Sequence, residues 1–132
     1  MPLPIRPATV VAGVIAALAL AVPAIAHQTV SSNGATVTVH VAPDDAPVAG
    51  SPSSINIVSV KVPKGATFRL SRARVKVTDA GGATLLNRHA ARHVTFTFPK
   101  AGAYEITVSG SYRRHGRTRR FATPFAIRAG TS

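Results

Sequence analysis

Between Ala35 and Ile127 apolar residues recur at every second position through most of the chain, and no stretch holds the 3.6-residue period of a helix. A strand puts successive side chains on opposite faces, so this pattern demands sheets with one face buried and one in water. Ala35 to Val41 sets Val37, Val39 and Val41 against Thr36, Thr38 and His40, and Arg72 to Thr78 sets Ala73, Val75 and Val77 against Arg72, Arg74 and Lys76. Ile55 to Val62 is a denser apolar run. His93 to Phe98 presents Val94, Phe96 and Phe98; Ala103 to Ser109 presents Tyr104, Ile106 and Val108; the last strand presents Phe121, Phe125 and Ile127. Turn chemistry separates them at Asn33-Gly34, Ala42 to Pro52, Pro63-Lys64-Gly65, Ala80-Gly81-Gly82 and Pro99 to Gly102. The expectation is all-β: an immunoglobulin-like β-sandwich of about seven strands. Tyr104, after a Gly turn and at the start of a strand, is either the tyrosine of a tyrosine corner or an ordinary core aromatic.

Two hairpins fix their own register. With Asn33-Gly34 as a two-residue type I′ loop, Ser32 faces Ala35, Val30 faces Val37, Thr29 faces Thr38, Gln28 faces Val39 and His27 faces His40. With His115-Gly116 as the second loop, Arg114 faces Arg117, Ile106 faces Phe125 and Tyr104 faces Ile127. Both registers match apolar with apolar.

The segment before His27 has a different character. Met1 to Arg6 is weakly basic, Val10 to Val22 is apolar, Pro23 breaks the run, and Ala24-Ile25-Ala26 offers small residues at −3 and −1. This is the order of a secretory signal, read as a signal-peptide helix over residues 1–26 with the domain over residues 27–132. The alternative is an uncleaved membrane anchor, although the run is shorter than the roughly 20 residues of a spanning helix. With no cysteine in the chain, lipoprotein anchoring, disulfides, thiolate metal sites and cysteine nucleophiles are all excluded. The signal implies a periplasmic or extracellular, secreted protein.

From His27 onward, fifteen basic residues face four acidic ones, a formal net charge of +11. That balance favours an anionic partner: an anionic envelope component or another envelope protein, without specific nucleic acid, and the membrane only through the signal segment if it stays uncleaved. The second hairpin gathers Arg113, Arg114, Arg117, Arg119 and Arg120, candidates for binding phosphates, headgroups or polymers. A solvated edge kept soluble by charge accounts for the same residues.

Cleavage before His27 would place an α-amine and imidazole opposite the imidazole of His40, three nitrogens suited to Cu(II). That arrangement resembles the histidine brace of secreted copper proteins, CopC-type chaperones included. The plainer and favoured reading is a residue left by cleavage on a frayed terminus, with His40 a solvated edge residue. His89 and His93, four apart, are ligand spacing on a helix, but here they fall at a loop and a strand end. Catalytic chemistry does not assemble. Asp44 and Asp45 point apart in a Pro-rich loop, Asp79 reads as a turn residue, and Glu105 stands alone. No G-x-S-x-G elbow, H-E-x-x-H or phosphate-cradling glycine loop is present.

The stretch Val37-Thr-Val-His-Val-Ala-Pro43, then Gly50, then the strand pair ending in Ala101-Gly-Ala-Tyr104, resembles small exported YtkA-like domains of bacteria, themselves similar to FixH and CopC-type folds. The likeness spans roughly Ala35 to Ser109. It departs after Val58, where Pro63-Lys64-Gly65 replaces an Asp-x-x-Gly-type turn and the mid-domain Met and His are missing. The resemblance implies the sandwich fold and, in some members, metal handling. Two expectations follow: a non-enzymatic, strongly basic YtkA-like binding domain without a cofactor, or a Cu(II)-binding or copper-delivery protein using His27 and His40.

Overall fold

The computed structural model describes residues 27–131; the signal-peptide helix expected over residues 1–26 lies outside the described residues. The described chain is all-β, in two antiparallel sheets of four strands. The strands are β1 (Gln28–Ser32), β2 (Ala35–Ala42), β3 (Pro52–Lys61), β4 (Arg74–Asp79), β5 (Thr84–His89), β6 (His93–Thr97), β7 (Gly102–Arg114) and β8 (Arg117–Ala129). The first sheet runs β1-β2-β3-β6 and the second β5-β4-β7-β8. Eight strands stand where about seven were expected; the addition is β5, whose sequence TLLNRH is exposed except for half-buried Leu86.

The alternation decides which face is buried. Val37, Val39 and Val41 of β2, Val75 and Val77 of β4, and Ile106 and Val108 of β7 are all buried, while their intervening neighbours are not. Phe98 lies at the centre and meets Tyr104 edge-on at 4.9 Å between ring centroids. The dense run in β3 also resolves. Ile55 and Ile57 are buried, but the register slips between Thr38 and Val39 and leaves Val58 as an extra, exposed residue. A bulge shifts the inward set by one position, and Val60 and Val62 then pack on the core.

Both hairpins take the expected registers, Val30 opposite Val37 and Arg114 opposite Arg117 among them. Their loops have positive φ at both central residues, 47° and 89° for Asn33-Gly34, and 52° and 73° for His115-Gly116, as a type I′ turn requires. Tyr104 donates its hydroxyl proton to the carbonyl of Lys100 at 2.6 Å and accepts from the Lys100 N–H at 3.0 Å. That is the backbone contact of a tyrosine corner.

The edges β1 and β8 are joined by side chains and not by a ladder. Gln28 Nε2 donates to the Ala126 carbonyl at 2.6 Å, the Ala122 N–H to Ser32 Oγ at 3.2 Å, and Asn33 Nδ2 to the Arg120 carbonyl at 2.7 Å. This seam places the Asn33-Gly34 turn beside the long β7–β8 hairpin.

Candidate functional site

The β7–β8 hairpin outruns the core. Along its inner face the side chains read Tyr104, Ile106, Val108, Gly110, Tyr112 and Arg114 on β7, answered by Ile127, Phe125, Thr123, Phe121, Arg119 and Arg117 in the register order Tyr104–Ile127 through Arg114–Arg117. The apolar residues up to Tyr112 and Phe121 are buried, and beyond them everything is exposed. Where the core ends, the same face continues as Arg114, Arg117 and Arg119. The five candidate arginines therefore divide by parity. Arg113 and Arg120 belong to the opposite face, and the Arg113 guanidinium is occupied locally, donating to Thr118 Oγ1 at 2.9 Å and to the Gly116 carbonyl at 3.1 Å.

The three inner arginines line a half-open cleft of about 720 Å³. His115 and Tyr112 complete its hairpin side, and Asn33, Gly34 and Pro63 form the facing wall. Two contacts hold that wall in place. Tyr112 donates its hydroxyl to the Asn33 carbonyl at 2.9 Å, and Thr67 and Arg113 exchange backbone hydrogen bonds of 2.9 and 3.0 Å. No acid lines the cleft. Among the described residues, neither an ion pair nor a side-chain hydrogen bond engages Arg114, Arg117 or Arg119, whereas Arg74 is held by Asn87. Three guanidiniums on one strip, with Arg114 and Arg117 directly opposite at about 5 Å between Cβ atoms, repel one another. An anion between them would relieve that repulsion.

A second constellation lies on the outer face of the first sheet. Ser31 and Thr36 are joined through their hydroxyls at 2.8 Å, and Thr29 and Thr38 at 2.9 Å. The next step of this ladder is His27 beside His40, their rings stacked at 4.9 Å between centroids and 22° between planes. Across β3 the row continues, since His40 faces Asn56 and Asn56 faces His93, whose Nδ1 lies 2.7 Å from Asn56 Oδ1. Nδ1 of His40 stands 3.2 Å from Oδ1 of Asp45, a buried carboxylate that also accepts the Val41 N–H. Asp45 Oδ2 is buried with no hydrogen-bond partner. Stacked imidazoles turn faces and not nitrogens toward each other, so a shared metal requires the exposed His27 ring to rotate. Among the described residues no group of three or more His, Cys, Asp or Glu is gathered as metal ligands.

The remaining acids have local tasks. Asp79 Oδ1 accepts the N–H groups of Gly81 and Ala83, closing the turn after β4. Asp44 and Glu105 are exposed, the latter accepting from Thr107 at 3.4 Å. His89 ends β5 in the second sheet and His93 begins β6 in the first, so the fold sends the two to different layers.

Sequence reasoning singled out the five arginines and the two histidines that the fold places side by side, but it did not anticipate Asp45 beside His40 or the facing wall of the cleft. Asp45 follows His40 by five residues, a separation that carries no pairing signal until the turn after β2 folds back. The wall comes from a different sheet, placed by the seam. No protein-family model, no curated protein and no solved structure matches the chain. Among the described residues, no helix is long and apolar enough to cross a membrane.

Proposed function

We propose that the chain is an exported, non-enzymatic, immunoglobulin-like binding domain of the YtkA-like kind, and that the β7–β8 arm takes an anionic component of the cell envelope. The observation carrying this reading is the unpartnered strip of Arg114, Arg117 and Arg119 lining an acid-free cleft. The tyrosine-corner contact of Tyr104 and the two four-stranded sheets support the immunoglobulin-like assignment. The test is a salt titration of binding to polyglutamate, a polyanion without phosphate. Each guanidinium that displaces a counterion steepens the fall of log K with log salt by a little under about one unit. Replacing Arg114, Arg117 and Arg119 together by Gln should flatten that slope by roughly two to three units, while Arg113→Gln with Arg120→Gln should change it less. Equal slopes for the wild type and the triple variant would sink the reading.

A second reading is favoured by the stacking of His27 on His40 with Asp45 behind. Here His27, its α-amine freed by cleavage, joins His40 in holding Cu(II), and Asp45 orients the His40 ring in the way carboxylates orient metal-bound imidazoles. Cu(II) titration of a chain beginning at His27, beside one carrying an extra N-terminal residue, decides it. One-to-one binding lost on extension supports copper, and equal or negligible binding in both retires it.

A further inference from the structure

The cleft does more than concentrate positive charge, and its construction narrows what it can hold. Arg114, Arg117 and Arg119 are not scattered over a surface; the register of one hairpin brings them to one face, two of them directly across from each other. The opposite wall presents Pro63 and Gly34, a glycine whose missing side chain leaves room for the Tyr112 hydroxyl. Two polar groups of that wall are already engaged: the Asn33 carbonyl accepts from Tyr112, and Asn33 Nδ2 donates to the Arg120 carbonyl. The charged donors of the cleft are therefore the three guanidiniums, with His115 beside them at the tip, all on the hairpin side.

We infer that this cleft is a site for a phosphate monoester, with the phosphoryl group held by Arg114, Arg117 and Arg119 and the esterified carbon skeleton resting toward Pro63 and Gly34. The inference rests on the anion-binding reading above and goes further, by naming the ligand chemistry. A guanidinium offers a planar fork that matches two oxygens of a phosphate, where an ammonium offers only a point charge. A monoester carries about −1.5 to −2 charge at neutral pH and three terminal oxygens, so it can engage more than one fork at once. A diester has a single negative charge and two such oxygens, and a carboxylate has one charge and two oxygens on one plane. Three positive charges without an acid beside them are best matched by the monoester. The cleft volume of about 720 Å³ exceeds what a bare phosphate fills and falls in the range of sites for small organic ligands. Phosphorylated sugars and phosphorylated lipid headgroups share this chemistry.

The experiment is an NMR titration that follows the Arg side-chain Nε–H resonances while adding glycerol 3-phosphate, with dimethyl phosphate and acetate as comparisons. The expected result is saturable shifts at Arg114, Arg117 and Arg119, with the monoester bound at least about tenfold more tightly than either comparison, as one lost charged hydrogen-bond pair would give. Arg117→Lys keeps the charge and, being on an exposed strand end, leaves the fold alone. It should weaken the monoester several-fold more than it weakens polyglutamate, because the ammonium keeps the charge and loses the fork. Vesicles displaying phosphatidic acid, at surface charge matched to phosphatidylglycerol vesicles, separate the two sources. Extra affinity on phosphatidic acid assigns the site to a lipid headgroup, and binding of the soluble ester with no such gain assigns it to a free metabolite; either supports the site. Equal binding of monoester, diester and acetate, with polyglutamate binding still dependent on the three arginines, would overturn the inference and leave the anion-binding domain standing. Shifts spread evenly over Arg113 and Arg120 would likewise overturn it. A wild-type protein that binds neither the phosphate ester nor polyglutamate would remove the domain reading as well.

Discussion

Gly34 has φ +89°, and a Cβ built there would stand 2.5 Å from the Tyr112 hydroxyl oxygen. Two separate costs thus fall on any side chain at this position, the left-handed backbone at about 1–2 kcal/mol and the collision with a hydroxyl that donates to Asn33. Gly34→Ala should lower unfolding free energy by about 2 kcal/mol or more. In a Tyr112→Phe background, where the clashing oxygen is gone, the same change should cost distinctly less. Urea denaturation of the four proteins of that cycle measures the coupling, and strict additivity would show that the contact does not matter. At this scale the sequence was readable where neighbours lie in one hairpin. Asn33-Gly34 announced its turn, and the pairings of Val30 with Val37 and Thr29 with Thr38 followed by counting. The approach of Tyr112 to Gly34 was not readable, because it joins two sheets and depends on how they pack.

A strand reveals itself by how its faces differ, and β5 has little difference to offer. Five of its six residues are exposed, it hydrogen-bonds to β4 alone, and Leu85 points to solvent while Leu86 covers the core edge. The run Ala83 to His89 therefore carried no alternation from which to infer a strand. β3 was legible as a strand but not in its facing, since the bulge at Val58 switches the inward positions from the buried Ile55 and Ile57 to the partly buried Val60 and Val62 further along. Tyr104 left two readings open, and it has the features of both: its ring is buried in the core, while its hydroxyl donates to the Lys100 carbonyl and accepts from the Lys100 N–H. That side chain pins the connection from β6 to β7, together with the Gly50 N–H that donates to the Phe98 carbonyl at 2.8 Å. Tyr104→Phe keeps the ring packed on Phe98 and removes the hydroxyl, with an expected loss of about 1–2 kcal/mol. For a domain of this size that corresponds to roughly 4–8 °C in Tm per kcal/mol. A variant melting with the wild type would mean that the corner is held by ring packing alone.

Across the molecule, no Lys or Arg among the described residues lies within ion-pair distance of a carboxylate, although fifteen basic residues face four acidic ones from His27 onward. Most of the positive charge is thus unanswered, and it opposes the compact state. Raising sodium chloride from 20 to 500 mM spans Debye lengths from about 20 Å to about 4 Å, so the thermal midpoint should rise by several degrees. A midpoint that falls or stays fixed would show that local pairing, not self-repulsion, governs the charge balance. The overall layering was accessible from alternation and turn spacing. The seam between β1 and β8 was not, because its bonds join side chains to backbone across edges that carry no matching pattern. The β7–β8 arm has a further property that follows from its register. Its core face and its arginine face are one continuous strip, so a residue gained or lost on a single strand would turn the arginines outward and bring Arg113 or Arg120 in. The arm can grow or shrink only in paired steps of two residues per strand if the cleft is to survive. Its length is quantised, and homologues with arms of other lengths should differ in multiples of four.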